Sequence, residues 1–117
     1  MEKKITPNTH RVLFVGNSTD EGGPIFGEVK EIMERIGKFS FNVEHAFTLG
    51  HATRAIFNPQ DDRYHIIVID ECFKGIALIR SIVINLKGPL RATFFNSKEP
   101  KSRQELLERV TNWQPFF

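Results

Sequence analysis

The sequence contains a single cysteine, Cys72, which excludes an internal disulfide and a zinc site built from a cysteine cluster. No apolar run reaches the roughly 18 residues that a membrane-spanning helix needs, and residues 1–7 contain no apolar signal core. Neither sign of charge dominates, because 16 Lys and Arg face 14 Asp and Glu without a basic block. We therefore expect a soluble, cytoplasmic protein that binds neither nucleic acid nor a membrane.

The residues that are present favour one folded domain. With 117 residues, of which 40% are hydrophobic, the chain can bury a single core but has too few residues for two. Residues 1–10 are polar and contain Pro7, so they are predicted to be a mobile arm. Residues 11–117 are predicted to form the domain.

Apolar patterning along the chain alternates between two periods. Short apolar or alternating runs predict four strands, at 11–16, 39–46, 65–70 and 90–95. Helical spacing of apolar residues predicts four helices, at 24–36, 52–56, 76–86 and 102–113. Pro24 is expected at the first helical position, and Ser102-Arg103-Gln104-Glu105 is expected to be the capping box of the last helix. Alternating strands and helices predict an α/β fold with a parallel sheet covered on both faces.

In such folds, functional groups lie at the carboxyl ends of the strands. Those ends are predicted at 16–20, 70–72 and 96–98. Because the strands are parallel, we expect these three segments to lie at the same edge of the sheet.

Three segments of the chain resemble the receiver domain of bacterial response regulators. Residues 64–71, YHIIVIDE, resemble the third strand that ends in the phosphoaccepting aspartate. Residues 50–56, GHATRAI, resemble the start of the second helix, and Gln114-Pro115-Phe116 resembles the Lys-Pro-Phe step after the fifth strand. The resemblance runs from about Arg11 to Phe116. It implies a flavodoxin-like three-layer fold with strand order 2-1-3-4-5, in which the final helix is missing or replaced.

The resemblance also implies candidate site residues. Receivers transfer a phosphoryl group to an aspartate through positioning and charge neutralisation, with Mg²⁺ held by oxygen ligands. Asp70 matches the phosphoacceptor, and Ser97 could contact the phosphoryl group. Asp20 and Glu71 are candidate Mg²⁺ ligands beside Asp70, and no other cofactor is implied.

Two positions depart from the receiver pattern. The acid pair after the first strand falls on Gly16-Asn17, where neither residue is acidic, and the lysine position falls on Gln114. A second alignment makes Lys98-Glu99-Pro100 the Lys-Pro step. It leaves too few residues after Asp70 for two helices and two strands, so the first alignment is preferred. We expect a degenerate receiver that is not an enzyme and that works by binding a protein.

The expected partners are a histidine kinase or an output protein in a phosphorelay. For the C-terminal face, where Trp113, Phe116 and Phe117 have no covering helix, two outcomes are expected equally: a homodimer through this face, or Phe116 and Phe117 folded back over it. The alternative is a flavodoxin-like protein that binds phosphate or flavin through the glycine-rich loop 16–23. Cys72 follows two acids and is expected to be structural.

Overall fold

The computed structural model describes residues 10–17, 22–36, 41–57, 64, 66–85 and 91–112. Strands and helices alternate along it, as the sequence predicts. The strands are β1 (His10–Val15), β2 (Phe41–Ala46), β3 (Ile66–Asp70) and β4 (Arg91–Phe95). The helices are α1 (Gly22–Glu31), α2 (Leu49–Ile56), α3 (Ile76–Asn85) and α4 (Pro100–Thr111), and α1 continues into a π-helical segment, Ile32–Ile36.

The four strands form one sheet in the order β2-β1-β3-β4, and all three strand pairs are parallel. The predicted α/β class and parallel sheet are therefore confirmed. The predicted order 2-1-3-4-5 is correct for the first four strands, but the described residues contain no fifth strand. Gln114-Pro115-Phe116, predicted to follow the fifth strand, lies outside the described residues.

Successive residues of the central strand β1 pack on opposite faces of the sheet. Val12 and Phe14 join one core cluster, and Leu13 and Val15 join the other. This alternation follows from the two-residue period of a strand, and it explains the unbroken apolar run, since both faces are covered. The first cluster includes residues of α1, the π-helical segment and α4, whereas the second includes residues of α2 and α3.

Helix α4 covers the same face as α1, because Leu106 and Val110 are buried in one cluster with Ile25, Val29 and Met33. Helix α3, which connects β3 to β4 in a right-handed crossover, covers the opposite face of the sheet. A connection from β4 through α4 to a fifth parallel strand beyond β4 would therefore be a left-handed crossover, which proteins very rarely form. Under the preferred alignment, the surface that the final helix of a receiver covers was expected to be exposed.

The structure instead has one helix and one strand between Asp70 and Lys98, and Lys98 precedes the helix that packs beside α1. This is the arrangement that the second alignment requires of its last strand and last helix. The described residues contain one strand and one helix fewer than the five-stranded layout on which that alignment was rejected.

Helix α3 begins at the predicted residue, Ile76, whereas α1, α2 and α4 begin two or three residues earlier than predicted. Helix α4 begins at Pro100 with Glu99 as its N-cap, so the predicted capping box is wrong. The Ser102 hydroxyl accepts the N–H of Asn96 (2.8 Å) and thereby ties the helix to the end of β4. Proline favours a first helical turn because it has no N–H to leave unpaired. Helix α1 begins at Gly22, two residues before Pro24.

Strand β1 begins at His10, the last residue of the predicted arm. Residues 1–9 lie outside the described part of the chain. Within the described ranges, no helix combines the length and apolar character needed to cross a membrane.

Candidate functional site

The carboxyl ends of β1, β3 and β4 meet at one edge of the sheet, as parallel pairing requires. Asp70 lies beside Phe95 in the β3–β4 register, and Val15 lies beside Ile69 in the β1–β3 register. The residues that follow these strands are therefore neighbours. Of the predicted site residues, the structure brings Asp70 and Ser97 into direct contact.

Asp70 is fully buried, with 0% of its surface exposed. Its Oδ1 accepts two backbone hydrogen bonds, from the N–H of Cys72 (3.0 Å) and from the N–H of Ser97 (3.1 Å). The first bond shapes the turn after β3, and the second joins the ends of β3 and β4. Its Oδ2 is buried and has no hydrogen-bond partner among the residues that the structure describes. The carboxylate thus acts as a link between two strand ends, with one oxygen unused.

Ser97 contacts Asp70 through its backbone and not through its side chain. It is 1% exposed, and its hydroxyl is buried without a hydrogen-bond partner. Its carbonyl accepts a bond from Arg103 Nη1 (3.0 Å), which anchors the segment to α4. Two buried oxygens, Ser97 Oγ and Asp70 Oδ2, therefore lie unpaired at adjacent strand ends.

The positions of the missing acid pair, Gly16 and Asn17, have structural roles. Asn17 Nδ2 donates to the carbonyl of Cys72 (3.1 Å), and Asn17 Oδ1 accepts from the N–H of Lys74 (3.4 Å), so the amide holds the turn after β3. A Cβ at Gly16 would lie 2.8 Å from Cε1 of Phe14 and 3.5 Å from Cβ of Asp70. A larger residue at position 16 would have to displace the buried Phe14 ring.

The candidate Mg²⁺ ligands are not assembled in the part of the chain that the structure describes. Glu71 is exposed, and its Oε2 forms an ion pair with Arg80 (3.1 Å). Asp20 lies outside the described residues. Among the described residues, no three His, Cys, Asp or Glu side chains are grouped so that they could hold a metal ion. The Mg²⁺ site stays a prediction.

Cys72 is half-buried, and its thiol donates to Asn96 Oδ1 (3.0 Å), which also accepts the N–H of Lys98 (2.9 Å). These contacts support the structural role expected of the cysteine. From the sequence, Asn96 was predicted only as part of the strand end 96–98, and Arg103 only as part of the capping box. Both residues follow β4 closely in the sequence. The hydrogen bond from Arg103 to the carbonyl of Ser97 depends on how α4 packs, so the sequence pattern does not predict it.

His45 is half-buried on edge strand β2. Its ring stacks on Phe26 with centroids 4.3 Å apart, and the Phe14 ring meets it edge-on at 5.5 Å. Its Nε2–H donates to the carbonyl of Gly16 (2.8 Å). Burial lowers the pKa of His45 from its ordinary value of 6.5 and outweighs the bond to Gly16, which raises it, while nearby His51 lowers it further.

A groove runs between α1 and α4 on the face that they share. It has a volume of about 380 Å³, and apolar side chains form much of its wall. Glu28 and Arg103 contribute charges of opposite sign to the lining. The lining residues are Pro24, Ile25, Glu28, Pro100, Arg103, Gln104 and Leu107.

Two further predictions involve residues that are not described. The loop of the flavin or phosphate alternative, 16–23, is described only at 16–17 and 22–23, and Trp113, Phe116 and Phe117 of the predicted dimer face lie beyond the described part.

Comparisons of the chain with protein-family models, curated proteins and solved structures found no match. A fold alone does not imply a function, so the functional conclusion depends on the residues of the site.

Proposed function

We propose that this chain is a degenerate receiver-like domain, with a flavodoxin-like layout, that acts in a signalling pathway by binding a protein. In this proposal Asp70 stands at the position of the phosphoacceptor but serves as a structural link. The partner is a histidine kinase or an output protein of a phosphorelay. The domain itself is not an enzyme.

The complete burial of Asp70 is the observation that supports this proposal most directly. Phosphoryl transfer needs an acceptor oxygen that a donor can approach in line, together with cations that neutralise the phosphoryl charge. Asp70 Oδ1 is already occupied by the N–H groups of Cys72 and Ser97. Glu71, the candidate Mg²⁺ ligand that is described, is engaged by Arg80. These contacts favour retention of the fold without phosphotransfer.

The groove between α1 and α4 supports the binding role. It combines apolar side chains with the charges of Glu28 and Arg103, and Glu28 is exposed. Apolar concave surfaces with a few charged groups suit the docking of a partner side chain or helix. The groove also lies on the helix pair that contains α4, which Arg103 connects to Ser97 and hence to Asp70.

Intact-mass spectrometry after incubation with acetyl phosphate and Mg²⁺ tests the loss of phosphotransfer. We expect no 80 Da adduct on the wild-type chain, under conditions in which a catalytically active receiver is fully phosphorylated in parallel. An adduct that forms on the wild type and disappears in Asp70→Asn would show that Asp70 is a working acceptor. That result would overturn the degenerate part of the proposal.

Titration with the purified phosphotransfer domain of a histidine kinase, followed by amide NMR shifts, tests the binding role. We expect the largest shifts in the residues that line the groove, and an affinity reduced about tenfold by Glu28→Lys. Glu105→Lys on α4 is the matched control, because it makes the same charge change at an exposed residue outside the groove lining. Equal losses for both variants would show that net charge, and not the groove, controls binding.

A further inference from the structure

The two edge strands of the sheet differ in how their outer backbone groups are satisfied. On β2, Ala46 accepts the N–H of Gly16 and so faces β1. Because backbone groups alternate in direction along a strand, those of Val43 face outward. Glu34 Oε2 accepts the N–H of Val43 (2.8 Å), and Lys30 Nζ donates to its carbonyl (3.2 Å). The ion pair of Lys30 and Glu34 therefore blocks this edge.

Charged side chains on an edge strand are a known protection against pairing with another chain. At the β2 edge the protection is specific, since both backbone groups of the central residue are occupied by side chains from α1 and the π-helical segment. A strand from another molecule could pair there only after displacing Glu34 and Lys30.

The β4 edge lacks such a block among the residues that the structure describes. Phe95 accepts the N–H of Glu71 (2.7 Å) and therefore faces β3. By the same alternation, the N–H and C=O groups of Ala92 and Phe94 point away from the sheet. No other described strand lies on that side of β4. Ala92 is exposed, and Phe94 is half-buried.

The sequence of β4 is complementary to itself in one register. If two β4 strands pair antiparallel about Thr93, Ala92 of each strand lies opposite Phe94 of the other. In that register the outward groups of these two residues meet as hydrogen-bonded pairs, which use all of them. Both side chains lie on the α3 face, where Arg80 covers the Phe94 ring at 4.8 Å from its centroid. The small exposed Ala92 leaves room for the Phe94 ring of the second copy.

We propose that the β4 edge binds the β4 strand of a second copy of this chain, so that two four-stranded sheets join into one. The interface is a two-fold, antiparallel strand addition centred on Thr93. It differs from the dimer predicted through Trp113 and Phe116, because its residues lie in β4. It goes beyond the receiver-like function and does not depend on it.

Analytical ultracentrifugation and amide hydrogen exchange of the full chain, each over a range of protein concentrations, test this proposal. We expect the apparent mass to double as concentration rises. Over the same range, the amides of Ala92 and Phe94 should gain protection by at least tenfold, whereas the amide of Val43 should be protected at every concentration. A chain that stays monomeric up to about 1 mM would overturn the proposal.

The variant Ala92→Pro removes one outward N–H without removing a bond to β3, which is why proline is tolerated on edge strands. We expect this variant to be monomeric. The control is Ala77→Lys, at an exposed position of helix α3 and outside β4, which should dimerise as the wild type does. A far-UV spectrum and thermal melt establish that each variant is folded.

If Ala92→Pro does not fold, Ala92→Glu replaces it, because a glutamate opposite the Phe94 ring of the other copy opposes dimerisation without changing the backbone. A dimer that survives in a folded Ala92 variant would place the interface elsewhere. Concentration-independent protection of Ala92 and Phe94 in a monomer would show that the chain covers its own β4 edge. Either result would overturn the proposal.

Discussion

Replacing Asp70 with alanine should remove the link between the ends of β3 and β4. The substitution leaves the buried N–H of Ser97 without an acceptor, which costs about 1–3 kcal/mol. The N–H of Cys72 is only partly buried, so its lost hydrogen bond costs about 0.5–1.5 kcal/mol. Together these effects predict that Asp70→Ala lowers the free energy of unfolding by about 1.5–4.5 kcal/mol. That is a large share of the roughly 5–15 kcal/mol of a typical domain.

Urea denaturation measures this loss. With a urea m-value of about 1.5 kcal/mol/M for a small domain, the midpoint should fall by about 1–3 M. Asp70→Asn should lie between the wild type and Asp70→Ala. Its amide oxygen still accepts both N–H bonds, but its NH₂ replaces Oδ2, which has no partner. Glu71→Ala is the neighbouring control, and loss of its exposed ion pair should cost about 0–1 kcal/mol.

Hydrogen exchange supplies a second readout of the same bond. The amide of Ser97 should exchange faster in Asp70→Ala than in Asp70→Asn, since only alanine lacks an acceptor. A midpoint for Asp70→Ala within about 0.5 M of the wild type, with unchanged exchange at Ser97, would refute the reasoning that Asp70 holds the two strand ends together.

Three further predictions follow from local geometry. Burial lowers the pKa of His45 in the folded chain below 6.5, so between the two pKa values the unfolded chain binds more protons than the folded chain. The free energy of unfolding should therefore fall as pH drops from about 7 towards the pKa of folded His45. The variant His45→Gln should show a smaller dependence of the unfolding free energy on pH. Gly16→Ala pushes a Cβ against the buried Phe14 ring and should cost about 1–3 kcal/mol in thermal denaturation, whereas Gly27→Ala meets nothing within 4 Å and should stabilise helix α1 by about 0.5–1 kcal/mol. Glu34→Ala leaves an outward N–H of β2 without its side-chain acceptor and should lower the unfolding free energy by about 0.5–1.5 kcal/mol while raising light scattering on storage; a variant that scatters no more than the wild type would argue against the edge block.

The residue types at the predicted site indicate which residues are neighbours but not which of their atoms are in contact. Placing Asp70 at the end of a buried strand, near Ser97, follows from the apolar run before it and from parallel pairing. Which atoms of Ser97 contact Asp70 does not follow, because a serine offers a hydroxyl and a backbone N–H, and the turn after β4 selects the latter. The sequence pattern predicts that α3 begins at residue 76, and it does. The pairing of Glu71 with Arg80 depends also on how the turn after β3 orients that helix, which the pattern does not define.

The apolar patterns by themselves determined the alternation of strands and helices, and with it a parallel sheet covered on both faces. These features depend on local periodicity and on the need to bury apolar residues, which act over a few residues. The tertiary structure decided that the described sheet has four strands, that α4 lies beside α1, that Asp70 is buried, and that Lys30 and Glu34 protect only the β2 edge. Each of these depends on which face a distant helix covers, and that choice is made by packing and crossover handedness, not by local sequence.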